Sequence, residues 1–575
     1  MALIFTATLI GAAWVARFGL HYNSFYQPAI FLILTLSIQL VLLILWLAYL
    51  APRLSPLRIF PLASQGPWWK TFLLEPIPTD LQRFMDETPN DGLIRYFGVF
   101  HSERLLLTKP QATKDMMLLQ PYNFNKIPIT KKLIGQLTGK GVIVVDQDEH
   151  KRQRKSLNPA FKFKYIKNLF PRFWFHATQL VRSLEKEIDE ANAKRSATLP
   201  TVDIDGWLMR ATLDIIAATG FGVNVNAIQA PDSALATVLP LSNSTSPQAS
   251  FYMLLGYLLP EWLYLRLPMA RRYELDQVVK ALHDATTPLI RARKADLSKR
   301  TLLGPETEDS DTKSTAQDLA ETDVIATLLR FPQKLTDQEL LAQSASIMLA
   351  GQDTTSVATT WALSLPSPGS ADGAVDASLV ESLPYLAAVC SETLRLFPPV
   401  SILRREVVKA GTTILGEHIP IGTHVVTSIW GTHHTRSIWG QDVQAFRPDR
   451  FLQHTEDGKA KFDPHGGLQG ETATYCFVPF GAGVRSCIGE RFARGEFAIL
   501  LAALVGKFDW TLMDPEAKLG EDVKINFGLV LKPQGGLFLH ASKVEGWVST
   551  ALLASNSTDK EEATSHVKKD GTKTF

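Results

Sequence analysis

Apolar residues recur every three or four positions over Trp174 to Asn192, Arg271 to Ser298, Asp337 to Leu365, Ser382 to Phe397 and Arg491 to Val505. That spacing lays a continuous apolar stripe along a helix, so these stretches predict a mainly helical body. Upstream, Leu93 to Phe97 and Arg104 to Thr108 read as short strands parted by turn residues, which predicts a small antiparallel sheet. The expected class is mainly α with small antiparallel β-sheets. Near the amino end, Ala29 to Leu50 run for 22 positions without a charged side chain. About 20 apolar residues suffice to cross a bilayer, so an N-terminal transmembrane helix is expected there. Trp46, Tyr49 and then Ala51-Pro52-Arg53 follow where a secretory leader would carry small residues for cleavage, so the span reads as an uncleaved anchor.

The pattern divides the chain into an anchor over 1–50, a stiff linker over 51–78 rich in proline (positions 52, 56, 61, 67, 76 and 78), a body over 79–548 and a polar tail over 549–575. Lys299 to Ala320 and the tail lack apolar periodicity and read as solvated. Met1 to Ala16 form a second, shorter apolar stretch, and whether it also inserts stays open. Arg53, Arg58 and Lys70 follow the span while Arg17 precedes it, a bias that places the body on the cytosolic side.

A composition that is 46% hydrophobic and 20% charged suits a large folded core. The net charge of +2, with both signs mixed, gives no field that would draw nucleic acid. Three cysteines, Cys390, Cys476 and Cys487, are too scattered for a disulfide framework or a structural zinc pair, which suits a reducing compartment. Neither a Gly-x-Gly-x-x-Gly nor a Gly-x-x-x-x-Gly-Lys phosphate loop occurs.

The chemistry concentrates in Phe480-Gly-Ala-Gly483-Val-Arg485-Ser-Cys487-Ile-Gly489, directly before the helix that starts near Arg491. Cys487 stands at a helix entrance, where unpaired backbone N–H groups favour a thiolate. Gly483 and Gly489 allow close approach of a flat macrocycle, and Arg485 can pair with a carboxylate at its edge, so the loop suits an iron porphyrin. The pattern Phe-x-x-Gly-x-Arg-x-Cys-x-Gly would arise by chance in such a chain with odds on the order of one in several thousand.

This loop resembles the haem-binding loop of the cytochrome P-450 superfamily, and the resemblance, which covers Gly66 to Trp547, is nearest to membrane-bound fungal members. It implies a cytochrome P-450 fold and haem b with Cys487 as axial thiolate, with Phe480, Gly483, Arg485 and Gly489 around it. Three further passages fall in the family's order. Ala350-Gly351-Gln-Asp353-Thr354-Thr355 lies within a predicted helix, where Gly351 weakens the ladder and Thr354 can bond the carbonyl of Ala350. By resemblance Asp353 and Thr354 are the catalytic proton relay. Glu392-Thr-Leu-Arg395 and, downstream, Arg450 are implied to form a structural cluster beneath the cysteine loop. His150 and Arg154, and Arg405 beside Arg404, stand where the family binds haem propionates, with the register at 404 and 405 left open.

The implied function is mono-oxygenation: one atom of dioxygen enters a hydrophobic small molecule, in secondary metabolism. A membrane-bound, NADPH-dependent flavoprotein reductase would supply electrons, and membrane lipid is the other implied partner. The endoplasmic reticulum is the implied location, with the catalytic body in the cytosol. Substrate contacts are expected around Leu119 to Leu137, Val400 to Leu403 and Phe527 to Leu531, and the apolar patch Phe251 to Leu267 is either a bilayer contact or a plain core helix. One departure stands out: the connection between Thr355 and Glu392 is shorter than the family's and lacks its His-Pro-Glu helix, with two prolines and two glycines over 364–373. Two alternatives therefore remain: a haem-thiolate isomerase or dehydratase without oxygen insertion, and an inactive membrane-tethered haem-binding protein.

Overall fold

The computed structural model describes residues 26–193, 200–243, 246–302, 323–330, 335–365 and 383–544, apart from 458, 515, 518, 520 and 521. The stretch before residue 26, most of Lys299 to Ala320, the shortened connection after Leu365 and the tail over 549–575 lie outside the described residues.

The anchor helix α1 (Tyr26–Leu45) continues through a wider turn at Trp46–Leu50 into Ala51–Leu54. Over Ile33–Leu54 it is long and apolar enough to cross a membrane, and the body buries none of it. The expected linker is more ordered than its prolines suggest. Pro56 and Pro78 sit in the first turns of short helices, where a missing N–H costs nothing. Between them the chain pairs with the sheet: Arg95 donates its backbone N–H to Pro61 at 2.8 Å, and Ala63 donates to Arg95 at 2.9 Å. Leu57, Phe60 and Ala63 are buried there. This half of the linker is therefore part of the body, because extended proline-rich backbone can border a sheet edge.

The main sheet holds β1 (Leu93–Gly98), β2 (Ser102–Leu107), β3 (Phe124–Lys126), β4 (Ile402–Val407) and β5 (His424–Ser428) in the order β1-β2-β5-β4-β3. The antiparallel expectation needs one correction, since β2 and β5 run parallel, joined by most of the chain between them. The helices that frame the centre are α2 (Gln147–Leu157), α3 (Phe170–Ala193), α4 (Ile204–Phe221), α5 (Ala270–Leu302), α6 (Asp337–Ser364), α7 (Pro384–Leu396) and α8 (Glu490–Lys507). The five helical stretches read from periodicity all appear, with ends displaced by a few residues.

Helix α6 runs through the middle, opened by a capping box in which Thr336 and Glu339 satisfy each other's backbone N–H groups. It packs on α4, α5, α7 and α8. Gly351 lies tight against α4, because a methyl group there would lie 2.8 Å from Ile216 Cδ1. The helix is continuous across this glycine, so its role is contact with α4 and not a break in the ladder. Farther along, the Trp361 ring stacks on Phe397 with centroids 4.4 Å apart, and its indole N–H donates to the Leu531 carbonyl at 3.1 Å. Such a ring pair adds about 0.5–1.5 kcal/mol beyond simple burial.

Candidate cofactor site

The Phe480–Gly489 loop is folded tightly by two glycines with left-handed backbone, Gly481 and Gly483, each at φ 70°. A Cβ on Gly483 would overlap the Met117 carbonyl oxygen, so only glycine lets the loop press against that turn. The Cys487 N–H donates to the Phe480 carbonyl at 2.8 Å, closing the loop on itself. The Gly489 N–H points to the Cys487 sulfur. Cys487 keeps an exposed surface, although enough protein surrounds it to desolvate the thiol.

Burial pushes the Cys487 thiol up, Glu490 adds to that, and the Gly489 N–H and the Arg154 charge offset it only in part. The Gly489 N–H at the helix entrance favours the thiolate as expected, but burial outweighs it. A cation bonded to the sulfur would tip the balance to the thiolate, since metal coordination removes the proton outright.

A wall of buried positive charge stands beside the loop. Arg485 donates from Nη1 to the carbonyls of Phe124 at 2.6 Å and Pro121 at 3.1 Å, and its other arm pairs with Asp146. Lys126 faces Arg405 across the β3–β4 register. Lys126 donates to the Val145 carbonyl at 2.6 Å and lies 3.6 Å from Asp146, which Lys131 also approaches at 3.4 Å. Burial, reinforced by Arg485 and Arg405, presses the Lys126 amine down to about 7. Burial and Arg485 press Arg405 down to about 10. Asp146 is the carboxylate these cations share, and their charges hold it below its ordinary range despite burial.

Arg404 points away to Glu75 at 3.3 Å, so of the two neighbouring arginines it is Arg405 that faces the wall. His150 is buried, bonds Tyr122 Oη at 3.1 Å, and is pushed by burial and the nearby cations down to about 3, so it is neutral. Arg154 departs from the wall and braces the cysteine loop, donating to the Ser486 carbonyl at 2.6 Å and to Asn158 at 3.0 Å.

Haem would have to meet these residues with an iron at the sulfur and two carboxylates at its edge. The chain fits both demands: the thiol is exposed, and the adjoining wall holds more cations than Asp146 alone neutralises, with the buried Arg485 Nε unpartnered. Uncompensated buried charge is costly, and the two propionates of a bound haem would offset it.

Beneath the loop, Glu392 and Arg395 are fully buried and joined by two hydrogen bonds of 2.7 and 2.8 Å. Arg450 closes on the same carboxylate at 3.4 Å, and the Arg447 N–H donates to it at 3.0 Å. Arg395 donates onward to the His433 carbonyl at 2.9 Å, and His433 Nε2 accepts the Val478 N–H at 3.1 Å. The cluster thus reaches the segment entering the cysteine loop through His433, a residue the sequence reading missed.

On α6, the Thr354 hydroxyl donates to the Ala350 carbonyl at 2.9 Å, as its position predicted. Asp353 does not meet Thr354; its carboxylate takes the Lys532 ammonium at 2.9 Å. On α8, Glu496 is fully buried beside Thr355, and burial pushes its carboxyl well above the usual range. Lys126, Asp146, Tyr122, Lys532 and Glu496 all escaped the sequence reading. Asp146 carried one usable signal, its place immediately before the α2 helix that holds His150 and Arg154.

The cytochrome P450 family profile matches residues 74–365 and 370–540. Among curated proteins, the cytochrome P450 monooxygenase sphH of Aspergillus fumigatus is 31% identical over 569 aligned positions, covering 93% of this chain and 98% of its own length. The cytochrome P450 monooxygenase ALT8 of Alternaria alternata is 30% identical, covering 88% and 92%, and FUM15 of Gibberella moniliformis is 31% identical, covering 86% and 89%. The family match breaks between 365 and 370, at the connection that reads as short in the sequence. Because 93% of 575 residues is about 535, the Aspergillus alignment of 569 positions includes some thirty to which this chain contributes no residue.

Proposed function

The chain belongs to the cytochrome P450 family and is a monooxygenase of the fungal type, and from that premise we propose that it oxygenates a hydrophobic small molecule in secondary metabolism. The observation that carries the reading is the exposed thiol of Cys487 beside a wall of cations that Asp146 alone does not balance. Haem, bound through Cys487 with propionates toward Arg485, Lys126, Arg405 and His150, would supply the thiolate-ligated iron at which dioxygen is activated.

The chain's own contribution is to hold, orient and protonate. The Thr354 hydroxyl, tethered to Ala350, stands ready to hold a water, and Asp353 is the acid one residue away that would replenish its proton. Glu392, Arg395 and Arg450 keep the cysteine loop in register without touching substrate. Electrons come from NADPH through a flavoprotein reductase, and the Ile33–Leu54 helix keeps the body on the endoplasmic reticulum, where greasy substrates partition. Exposed Phe251, Leu258 and Trp262 add an apolar surface suited to the same bilayer.

Purified full-length protein with haem, reductase, NADPH and oxygen tests the reading. Wild type should consume NADPH and form a hydroxylated product, and Thr354→Ala should consume NADPH with severalfold less product. Equal coupling in both would remove Thr354 from the relay, and no NADPH consumption by the haem-loaded wild type would favour the inactive haem-binding alternative.

A further inference from the structure

Two adjacent buried histidines, His433 and His434, close the short helix Ile429–His433, and they turn to different partners. His434 turns back on its own helix: its Nδ1 meets the Trp430 carbonyl at 2.8 Å, and its ring stacks on Trp430 with centroids 4.1 Å apart. His433 reaches to other parts of the chain. Its Nδ1 lies 3.2 Å from the Arg395 carbonyl of α7, and its Nε2 lies 3.1 Å from the backbone nitrogen of Val478. Arg395 returns a bond from its guanidinium to the His433 carbonyl at 2.9 Å, so backbone and ring of His433 are both tied to α7.

The two ring contacts fix the state of the imidazole. A carbonyl can only accept and a backbone N–H can only donate, so the hydrogen sits on Nδ1 and Nε2 is a bare acceptor. Val478 is 1% exposed, and without that acceptor its N–H would be stranded away from water. From Val478 the bonding continues toward the sulfur. The Gly481 N–H donates to the Val478 carbonyl at 3.0 Å, and the Cys487 N–H donates to the Phe480 carbonyl at 2.8 Å. The turn that carries Phe480 is therefore held by His433 on one side and holds Cys487 on the other. Arg154 braces the same loop at its far end, through the Ser486 carbonyl.

We propose that His433 is a positioning residue for the thiolate: its bare Nε2 holds the Val478 N–H, and with it the turn that sets where the Cys487 sulfur stands. This rests on the reading of Cys487 as the haem ligand. A loop with glycines at 481, 483 and 489 has many backbone conformations open to it, and a tether at its entrance removes those that would carry the sulfur off its place. The role belongs to the ε nitrogen alone. The δ nitrogen ties the ring to α7 and leaves the loop untouched.

The optical spectrum of the reduced, carbon-monoxide-bound full chain tests this, read beside denaturant unfolding of the same variants. His433→Gln can place an amide oxygen near the Nε2 position and accept the Val478 N–H. His433→Asn reaches only the δ position, can donate to the Arg395 carbonyl and leaves Val478 unpaired. The Asn variant should show severalfold less of the thiolate band relative to its bound haem, while the Gln variant keeps most of it at a similar loss of stability. His434→Asn, which removes the neighbouring buried imidazole, should keep the band. An Asn variant with the wild-type share of thiolate band, or a Gln variant that loses as much as Asn, overturns the proposal. If the Asn variant does not fold, the Gln variant decides by keeping or losing the band. A wild type without the band removes the Cys487 reading and this proposal together, whereas variants that all match a thiolate-ligated wild type remove the proposal alone.

Discussion

Arg485, two residues before the thiol, pairs with Asp146 at the entrance of α2, so the cysteine loop and the start of that helix are joined by one ion pair. Both side chains are more than nine-tenths buried. Around this pair Lys126, Lys131 and Arg405 add charge that Asp146 cannot balance alone, and the electrostatics of the haem-free chain follow from that excess.

Lys126 gives the excess a pH signature. Its amine is lowered from the ordinary 10.5 to about 7 in the folded chain. Between those values the unfolded chain binds more protons, so this group makes the haem-free protein more stable as pH rises from about 7 toward 10. The penalty is complete below about 7. Thermal melts of haem-free protein should rise across that window, and Lys126→Met should flatten the rise. Haem should also take up a proton on binding near pH 8, because propionates restore the charged amine; a pH indicator dye reads this directly.

The buried Glu392–Arg395 pair predicts an asymmetric mutational response. Removing one partner strands a charge in the core, so Arg395→Ala should cost about 3–5 kcal/mol, whereas replacing both residues with apolar ones should cost less than the sum of the single changes. Denaturant unfolding of the two single variants and the double variant measures the coupling. Additive losses would mean that the pair does not act as a unit.

Gly351 predicts a steric response. The methyl of Gly351→Ala meets Ile216 Cδ1, so the variant should lose about 1–3 kcal/mol by overpacking. Ile216→Val removes that terminal carbon and should recover part of the loss in the double variant. If the double variant loses the full sum of the two single changes, the α4–α6 contact is not what requires glycine.

Much of the architecture was legible because amphipathic helices advertise themselves. The five periodic stretches and the first two strands stand where their patterns put them, and the cysteine loop carried its own chemistry in its spacing. Helix α4 was missed for the opposite reason: Leu208, Ala211, Leu213, Ile215 and Ile216 are all buried, and a helix covered on every side shows no stripe. The linker was misread because proline content reports which local hydrogen bonds are lost, not whether the chain finds a sheet edge. Lys126, Lys532 and His433 were invisible for a further reason. Each acts through partners from distant sequence, Lys532 lying 179 residues from Asp353, and a lone lysine or histidine in a sequence looks like any surface residue.

The central claim is that Cys487 is the ligand of a haem iron, and the optical spectrum of the reduced, carbon-monoxide-bound protein tests it most directly. Wild type should show the strongly red-shifted main band of thiolate ligation, and Cys487→Ser should lose that band together with most of its bound haem. A wild-type spectrum typical of histidine ligation, or a serine variant with haem content and bands unchanged, would contradict the account.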